Sequence, residues 1–186
     1  IPGVDYLDTR EVVTEIRAQK TDEELGHVRA AQTANEMAMA TAEELLADAT
    51  VVGDTLKHDG AELTSERVKS EVEATLLQHG CGLDETIVAC GTDAADPHNR
   101  GSGPLRPDEP IIVDIFPRDK KTKYHADMTR TFVRGTPDET VREWFDITDD
   151  ARKAALDTVE PGVTGADVHD AVCDVFADAG LPTLRD

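Results

Sequence analysis

The chain has 186 residues, which is enough for one domain with a hydrophobic core, and 39 acidic against 19 basic residues give it a formal net charge of −20. Without a basic stripe it is not expected to bind nucleic acid or an anionic membrane, and no apolar run approaches the roughly 18 residues of a membrane span. Three widely spaced cysteines, Cys81, Cys90 and Cys173, exclude a disulfide framework and indicate thiols in a reducing cytoplasm.

The acidic residues are spread through every segment, with no block of five or more like charges, and arginine outnumbers lysine by 12 to 7. This distribution favours adaptation to high salt, because a short Debye length makes self-repulsion tolerable. An acidic protein from an ordinary environment is the alternative.

The first half of the chain predicts two helices and a strand after an N-terminal segment. Thr21 and Glu24 form a capping-box pattern, which predicts a helix from there to about Asp48. Thr64-Ser65-Glu66 predicts the start of a second helix, which Gly80 ends. A strand is expected at Thr86–Cys90.

The second half predicts a β-hairpin followed by two helices. The arms of the hairpin lie at about 111–118 and 124–135. Asp138 opens a helix that runs to about Val159, with Trp144 and Phe145 expected in its core, and Pro161-Gly162 breaks it. The last helix is expected over Thr164 to Ala179.

Each arm of the hairpin carries one aspartate. Asp114 follows the apolar run Ile111-Ile112-Val113, and Asp127 lies on the return arm. A buried carboxylate costs several kcal/mol unless it is paired or bound to a metal ion. Two carboxylates that converge from neighbouring strands therefore indicate a site for hard divalent cations, and two ordinary carboxylates in an acidic protein are the alternative.

The hairpin resembles the metal-binding hairpin of the pita-bread metallopeptidases, the family of Xaa-Pro aminopeptidases, prolidases, methionine aminopeptidases and creatinases. Residues 127–131 match its Asp-x-Thr-Arg-Thr pattern in full. Phe116-Pro117 stands where Gly-Ala is usual, and the loop at 119–123 is about two residues longer than usual. Because an even insertion keeps each aspartate on its face, Asp114 and Asp127 both remain candidate ligands.

The resemblance implies an α+β chain with the N-terminal part of the pita-bread fold. We expect residues 1–16 to be the remnant of an upstream domain or a linker, and 17–186 to be the pita-bread domain without its C-terminal part. The segment 17–30 resembles the entry of the prolidase and Xaa-Pro branch, and the composition suggests a haloarchaeal source.

The same resemblance implies two divalent metal ions, Mn²⁺ first and Co²⁺ or Zn²⁺ as alternatives. Asp114 would bind one ion with both oxygens, and Asp127 would bridge the pair. His98, in Asp96-Pro97-His98-Asn99, resembles the family's histidine that faces the substrate and hydrogen-bonds or shuttles a proton. An ordinary surface histidine is the alternative at this position.

Weaker predictions concern other side chains in and near the motif. His125 is expected to point away from the metal ions, and Thr129 to support a ligand. Arg130 is expected to pair with a carboxylate, either near the site or, more readily, as a bridge that fixes the strand. No functional role is expected for the remaining histidines, His27, His58, His79 and His169.

The family's three further ligands, a histidine in Gly-His-x-x-Gly and two glutamates, find no match in this chain. We therefore expect a fragment that turns over nothing by itself and belongs to a cytoplasmic, homodimeric Xaa-Pro aminopeptidase or Xaa-Pro dipeptidase acting on peptides. A creatinase-like C–N hydrolase, which works without metal, and a non-catalytic binding module with the same fold are the alternatives.

Overall fold

The computed structural model describes residues 10–183 and 185, with side chains from residue 12 onward. The chain divides into two compact units, Ile1–Arg134 and Gly135–Asp186. Most of the predicted upstream remnant, residues 1–9, lies outside the described residues. Within the rest of that segment a short helix, α1, spans Arg10–Ala18.

Two helices of the first unit begin and end at the residues that the sequence indicates. Helix α2 spans Asp22–Asp48, and its predicted capping box is present: Glu24 N donates to Thr21 Oγ1 over 3.3 Å, and Thr21 N donates to Glu24 Oε2 over 2.8 Å. Helix α3 spans Ser65–Gln78 with Thr64 as its N-cap. Gly80, at φ +76°, takes the left-handed conformation that ends a helix.

Among the described residues of the first unit, eight strands form three small sheets. Three of them, β5, β6 and β8, make the antiparallel sheet that carries the predicted hairpin, in the order β5-β6-β8, while β1, β2 and β3 form a meander and β4 pairs with β7. Their bounds are β1 Thr50–Val52, β2 Thr55–His58, β3 Ala61–Glu62, β4 Cys81–Gly82, β5 Thr86–Cys90, β6 Ile111–Ile115, β7 Arg118–Asp119 and β8 Met128–Phe132.

The core lies between helices α2 and α3 and one face of the β5-β6-β8 sheet. On β6 alternate residues are fully buried, Ile111, Val113 and Ile115, and so the half-buried Asp114 lies on the opposite face. Two leucines of these helices are exposed, Leu25 by 37% and Leu77 by 49%. Helical periodicity places them at the margin of the buried stripe, where a neighbouring segment decides burial.

The second unit consists of helices α4, Glu139–Thr158, and α5, Gly165–Asp178, which pack against each other. The prediction that Trp144 and Phe145 lie in the helix core is wrong, since these side chains are 55% and 59% exposed. Periodicity does not distinguish an apolar face that contacts a partner from one that does not.

No helix in the part of the chain that the structure describes is both long enough and apolar enough to cross a membrane. All three thiols are free; Cys81 and Cys173 are buried as expected, and Cys90 is half-buried.

Acid should weaken the junction between α2 and the hairpin turn. Tyr124 donates its hydroxyl proton to Glu24 Oε1 over 2.7 Å, and this bond together with the stronger effect of the Thr21 backbone N–H lowers the pKa of Glu24 to about 2. Because the folded pKa lies below the unfolded value, the stabilisation is complete above about pH 4.5 and is lost as the pH falls toward 2. Thermal unfolding between pH 2 and 6 should show a shallower acid loss for Glu24→Gln than for the wild type. An identical pH dependence in both proteins would contradict this assignment.

Candidate metal centre

The two candidate ligands meet on the face of the sheet away from the core. Asp114 pairs with Thr129 across β6 and β8, and Asp127 precedes Thr129 by two residues, directly before β8 begins. Side chains two residues apart share a face, so Asp127 is the diagonal neighbour of Asp114. The hairpin is less regular than predicted, because residues 116–127 leave the sheet and β7 pairs with β4.

Asp114 is held by hydroxyl groups from both neighbouring strands. Thr129 Oγ1 donates to Asp114 Oδ1 over 2.7 Å, and Thr86 Oγ1 donates to the backbone carbonyl of Asp114 over the same distance. The supporting role expected for Thr129 is therefore present as a direct hydrogen bond. Asp114 Oδ2 takes part in neither of these two bonds.

The two carboxylates affect each other. Partial burial raises the pKa of Asp127, and the negative charge of Asp114 and a hydrogen bond between the two carboxyl groups raise it further. Within the described ranges, no lysine or arginine forms an ion pair with either aspartate. Two mutually repelling carboxylates without a cationic partner form a donor set that suits a bound divalent cation.

His98 lies in an exposed loop after β5 that approaches Asp114. Its backbone N–H donates to Asp96 Oδ1 over 2.9 Å, and its side chain is exposed. Asp96 and Pro97 line a cavity of about 290 Å³ together with Asp114 and Thr129. The loop is thus beside the carboxylates, although the imidazole is not among the residues that line this cavity.

Backbone and side-chain contacts fix the far end of the His98 loop to β5 and α3. Val88 N donates to the Arg100 carbonyl over 3.1 Å. Lys69 Nζ donates to the Gly101 carbonyl over 2.8 Å, and Ser65 N donates to the Gly103 carbonyl over 2.9 Å. Because strand and helix both hold it, the loop can present His98 at a defined place.

A larger cavity, of about 700 Å³, opens on the Asp127 side of the pair. His125 and Asp127 both line it, and so does Ala126, which lies between them and is 8% exposed. Lining this cavity does not fix the direction of the His125 ring, so the expectation that it points away from the metal ions stays a prediction.

Several weaker expectations have a structural outcome. Arg130 has no carboxylate partner among the described residues and donates to the Thr129 carbonyl over 2.8 Å, so the expected ion pair is wrong. The centroid of the His27 ring lies 5.7 Å from that of the Tyr124 ring. His169 Nε2 lies 3.4 Å from Cys173 Sγ, one helical turn away.

Across residues 10–183 and 185, no cluster of three or more His, Cys, Asp or Glu side chains could hold a metal ion. The Asp114–Asp127 pair by itself is therefore too small to hold a metal ion, since such ions take four or more ligands.

Comparisons with known proteins find a family model and several relatives for this chain. The model of metallopeptidase family M24 matches residues 26–185. A probable dipeptidase PepE from Mycobacterium bovis is 32% identical over 180 residues, covering 96% of this chain and 44% of that protein. A Xaa-Pro dipeptidase from Lactobacillus delbrueckii subsp. lactis is 28% identical over 184 residues, covering 96% of this chain and 46% of that protein.

A solved structure agrees with these sequence matches. The crystal structure of dipeptidase PepE from Mycobacterium ulcerans superposes with a TM-score of 0.77 at 28% identity, covering 92% of this chain and 43% of that one. The chain thus spans less than half the length of the relatives it matches.

Proposed function

This chain belongs to metallopeptidase family M24 and has the N-terminal part of the pita-bread fold, and we propose that the whole protein hydrolyses peptide bonds involving proline as a Xaa-Pro dipeptidase or Xaa-Pro aminopeptidase. The observation that carries the proposal is the Asp114–Asp127 pair, which lies on the accessible face of the sheet without a cationic partner in the described part of the chain. The dipeptidase names of the relatives support the choice of substrate.

We propose a pair of divalent ions, with Mn²⁺ preferred and Co²⁺ or Zn²⁺ as alternatives, because an oxygen-rich donor set suits hard cations. When bound, such ions acidify a shared water and polarise the scissile carbonyl. Asp114 and Asp127 would hold these ions, with Thr129 fixing the orientation of the Asp114 carboxylate. The other ligands would come from outside these 186 residues, so that the chain alone is inactive.

The test compares the whole protein with residues 1–186 alone. After metal removal and reconstitution with Mn²⁺, the whole protein should hydrolyse a Xaa-Pro dipeptide and contain two metal ions per chain, while residues 1–186 should show no turnover. Robust turnover by residues 1–186 would overturn the assignment of missing ligands. Metal-independent C–N hydrolysis would indicate a creatinase-like enzyme, and peptide binding without hydrolysis would indicate a binding module.

His98 is proposed as the group that hydrogen-bonds the substrate or transfers a proton. Replacing it with alanine should lower kcat of the whole protein by about 10²-fold or more, the range for loss of a general acid or base, with metal content unchanged. The exposed His79, on the C-cap of α3, gives the control His79→Ala, which should retain activity. Equal activity of the His98 and His79 variants would remove His98 from the mechanism.

The proposal also includes a cytoplasmic location, a homodimer and a haloarchaeal source with high salt inside the cell. The net charge of −20 supports the high-salt source. Sedimentation of the whole protein in molar KCl should show a dimer, and dilution to low salt should lower its unfolding temperature because repulsion among carboxylates is then less screened. A monomer in molar KCl would contradict the homodimer. Greater stability at low salt would contradict adaptation to high salt.

A further inference from the structure

The loop that carries His98, residues 96–105, is largely exposed, yet its tip is closed by hydrogen bonds of its own. His98 N donates to Asp96 Oδ1 over 2.9 Å, and Asn99 N donates to the Asp96 carbonyl over 3.0 Å. Gly101 N donates to Asn99 Oδ1 over 2.9 Å. Because the tip is a closed turn, the place of His98 depends on how the following residues, 100–105, are held.

Backbone groups fix both ends of the segment 100–105. At its start the Arg100 carbonyl accepts the Val88 N–H of β5. At its end Leu105 N donates to the Leu63 carbonyl over 2.9 Å, and the Leu105 carbonyl accepts the N–H of Leu56, on β2, over 3.0 Å. All three leucines are buried, and so this end of the loop is tied to the core.

Two charged side chains of α3 hold the middle of the segment 100–105. Gly103 N donates to both carboxylate oxygens of Glu66, over 3.0 and 3.2 Å. Lys69 Nζ donates to the Gly101 carbonyl over 2.8 Å. Residues three apart on a helix lie on the same side, so Glu66 and Lys69 reach the loop together. The anchors from β5 and β2 require only a backbone, whereas these two bonds require particular side chains.

The charges of Glu66 and Lys69 agree with these contacts. The bond from the Gly103 N–H is the main cause that lowers the pKa of Glu66, which keeps the side chain a carboxylate at neutral pH. Partial burial is the main cause that lowers the pKa of Lys69, and the negative charge of Glu66 acts in the opposite direction. The two side chains therefore interact with each other as well as with the loop.

We propose that Glu66 and Lys69 are positioning residues, which fix the place of His98 beside Asp114 by holding the backbone of Gly101 and Gly103. This inference rests on the proposed function, in which His98 contacts the substrate. Glu66 and Lys69 act only through His98. Bonds this far from the chemistry have a measurable effect, because a misplacement of about 1 Å can lower the rate of a reaction by about 10²-fold.

The test is a double-mutant cycle in the whole protein with Mn²⁺ and a Xaa-Pro dipeptide. The pair Glu66→Ala/Lys69→Met removes both side-chain bonds and should lower kcat about tenfold. In a His98→Ala background the same pair should change kcat by less than about twofold, since the group that it positions is already absent. If the two losses multiply, Glu66 and Lys69 act on the fold as a whole and the proposal is overturned.

Conservative variants separate hydrogen bonding from a general loss of stability. Glu66→Gln keeps an acceptor for the Gly103 N–H, and Lys69→Arg keeps a donor for the Gly101 carbonyl, so this pair should retain most of the activity. Glu71→Ala removes an exposed carboxylate from the same helix and should behave as the wild type. Equal losses in the conservative and the disruptive pair would contradict positioning by these bonds.

Hydrogen exchange of the whole protein, measured by mass spectrometry, separates the positioning of the loop from the proposed activity. Peptides that cover residues 98–105 should exchange faster in Glu66→Ala/Lys69→Met, and peptides that cover β8 should exchange as in the wild type. Unchanged exchange over 98–105 would overturn the proposal whatever the activity. If His98→Ala is as active as the wild type, the positioning role falls with that of His98. If the wild type hydrolyses no Xaa-Pro peptide, the proposed function fails, and the exchange rates still decide whether Glu66 and Lys69 hold the loop.

Discussion

Replacing Asp114 or Asp127 with asparagine is expected to lower kcat/KM of the whole protein by more than about 10²-fold, since losing even a group that only orients a metal ligand costs 10- to 100-fold. Asparagine preserves the shape of the side chain but removes the negative charge, and its amide nitrogen cannot coordinate as a carboxylate oxygen does. The metal content measured after dialysis should fall in both variants. Asp54→Asn, in an exposed turn, is the control that should keep both activity and metal.

The stability of the metal-free protein distinguishes a metal ligand from a structural carboxylate. The folded pKa of Asp127 is raised above its ordinary value, so the folded state favours the protonated group and stability is lost as the pH rises through that pKa. At neutral pH the charged Asp127 therefore destabilises the metal-free fold, to an extent that solvent screening limits. Asp127→Asn should unfold at the same or a slightly higher temperature without metal, and should gain less than the wild type when Mn²⁺ is added. A lower unfolding temperature without metal would identify Asp127 as a structural residue.

Replacing Gly101 with alanine is expected to destabilise the protein by roughly 3 kcal/mol or more, among the larger effects of a single substitution. Gly101 has a φ of +70°, and an added Cβ would lie 1.9 Å from the Val88 carbonyl oxygen and 2.6 Å from its carbon. Both atoms belong to the backbone of β5, so the clash is relieved only if the loop moves away from the strand. That movement would break the bond from Val88 N to the Arg100 carbonyl and displace the loop that carries His98.

Gly103→Ala is the matched control for Gly101→Ala. Gly103 lies in the same loop at a φ of +73°, but nothing lies within 4 Å of the place that an added Cβ would occupy. Its substitution should therefore cost only the backbone strain of a left-handed alanine, about 1–2 kcal/mol. Chemical denaturation of the two variants measures the difference. Equal losses would show that the close approach to Val88 has no energetic consequence.

Local signals located four helices and the strands of the β5-β6-β8 sheet, whereas the β1-β2-β3 meander and β4 were not predicted. Thr21, Thr64, Asp138 and Thr164 each accept a hydrogen bond from a backbone N–H of the first helical turn, which is the interaction that a capping residue predicts from sequence. Strand β5 has the predicted bounds, Thr86–Cys90. These features depend on residues within one helical turn or one strand, and so they can be predicted from the sequence.

The errors arose where a prediction needed a distant neighbour. Trp144 and Phe145 belong to an apolar helix face, but no periodicity states what covers that face. Arg130 belongs to the motif, yet its guanidinium bonds to its own strand.

By itself the sequence determined which groups are candidates for the site, namely two aspartates on a hairpin and a histidine in the loop after a strand. The tertiary structure alone decided which of them meet. Glu73 and Lys120 line one cavity although 47 positions separate them, and the pKa of Asp127 rises because folding removes part of its solvation and places it beside Asp114. The functional group of a side chain is fixed by the residue type. The distance between two side chains and their burial depend on how the chain between them folds.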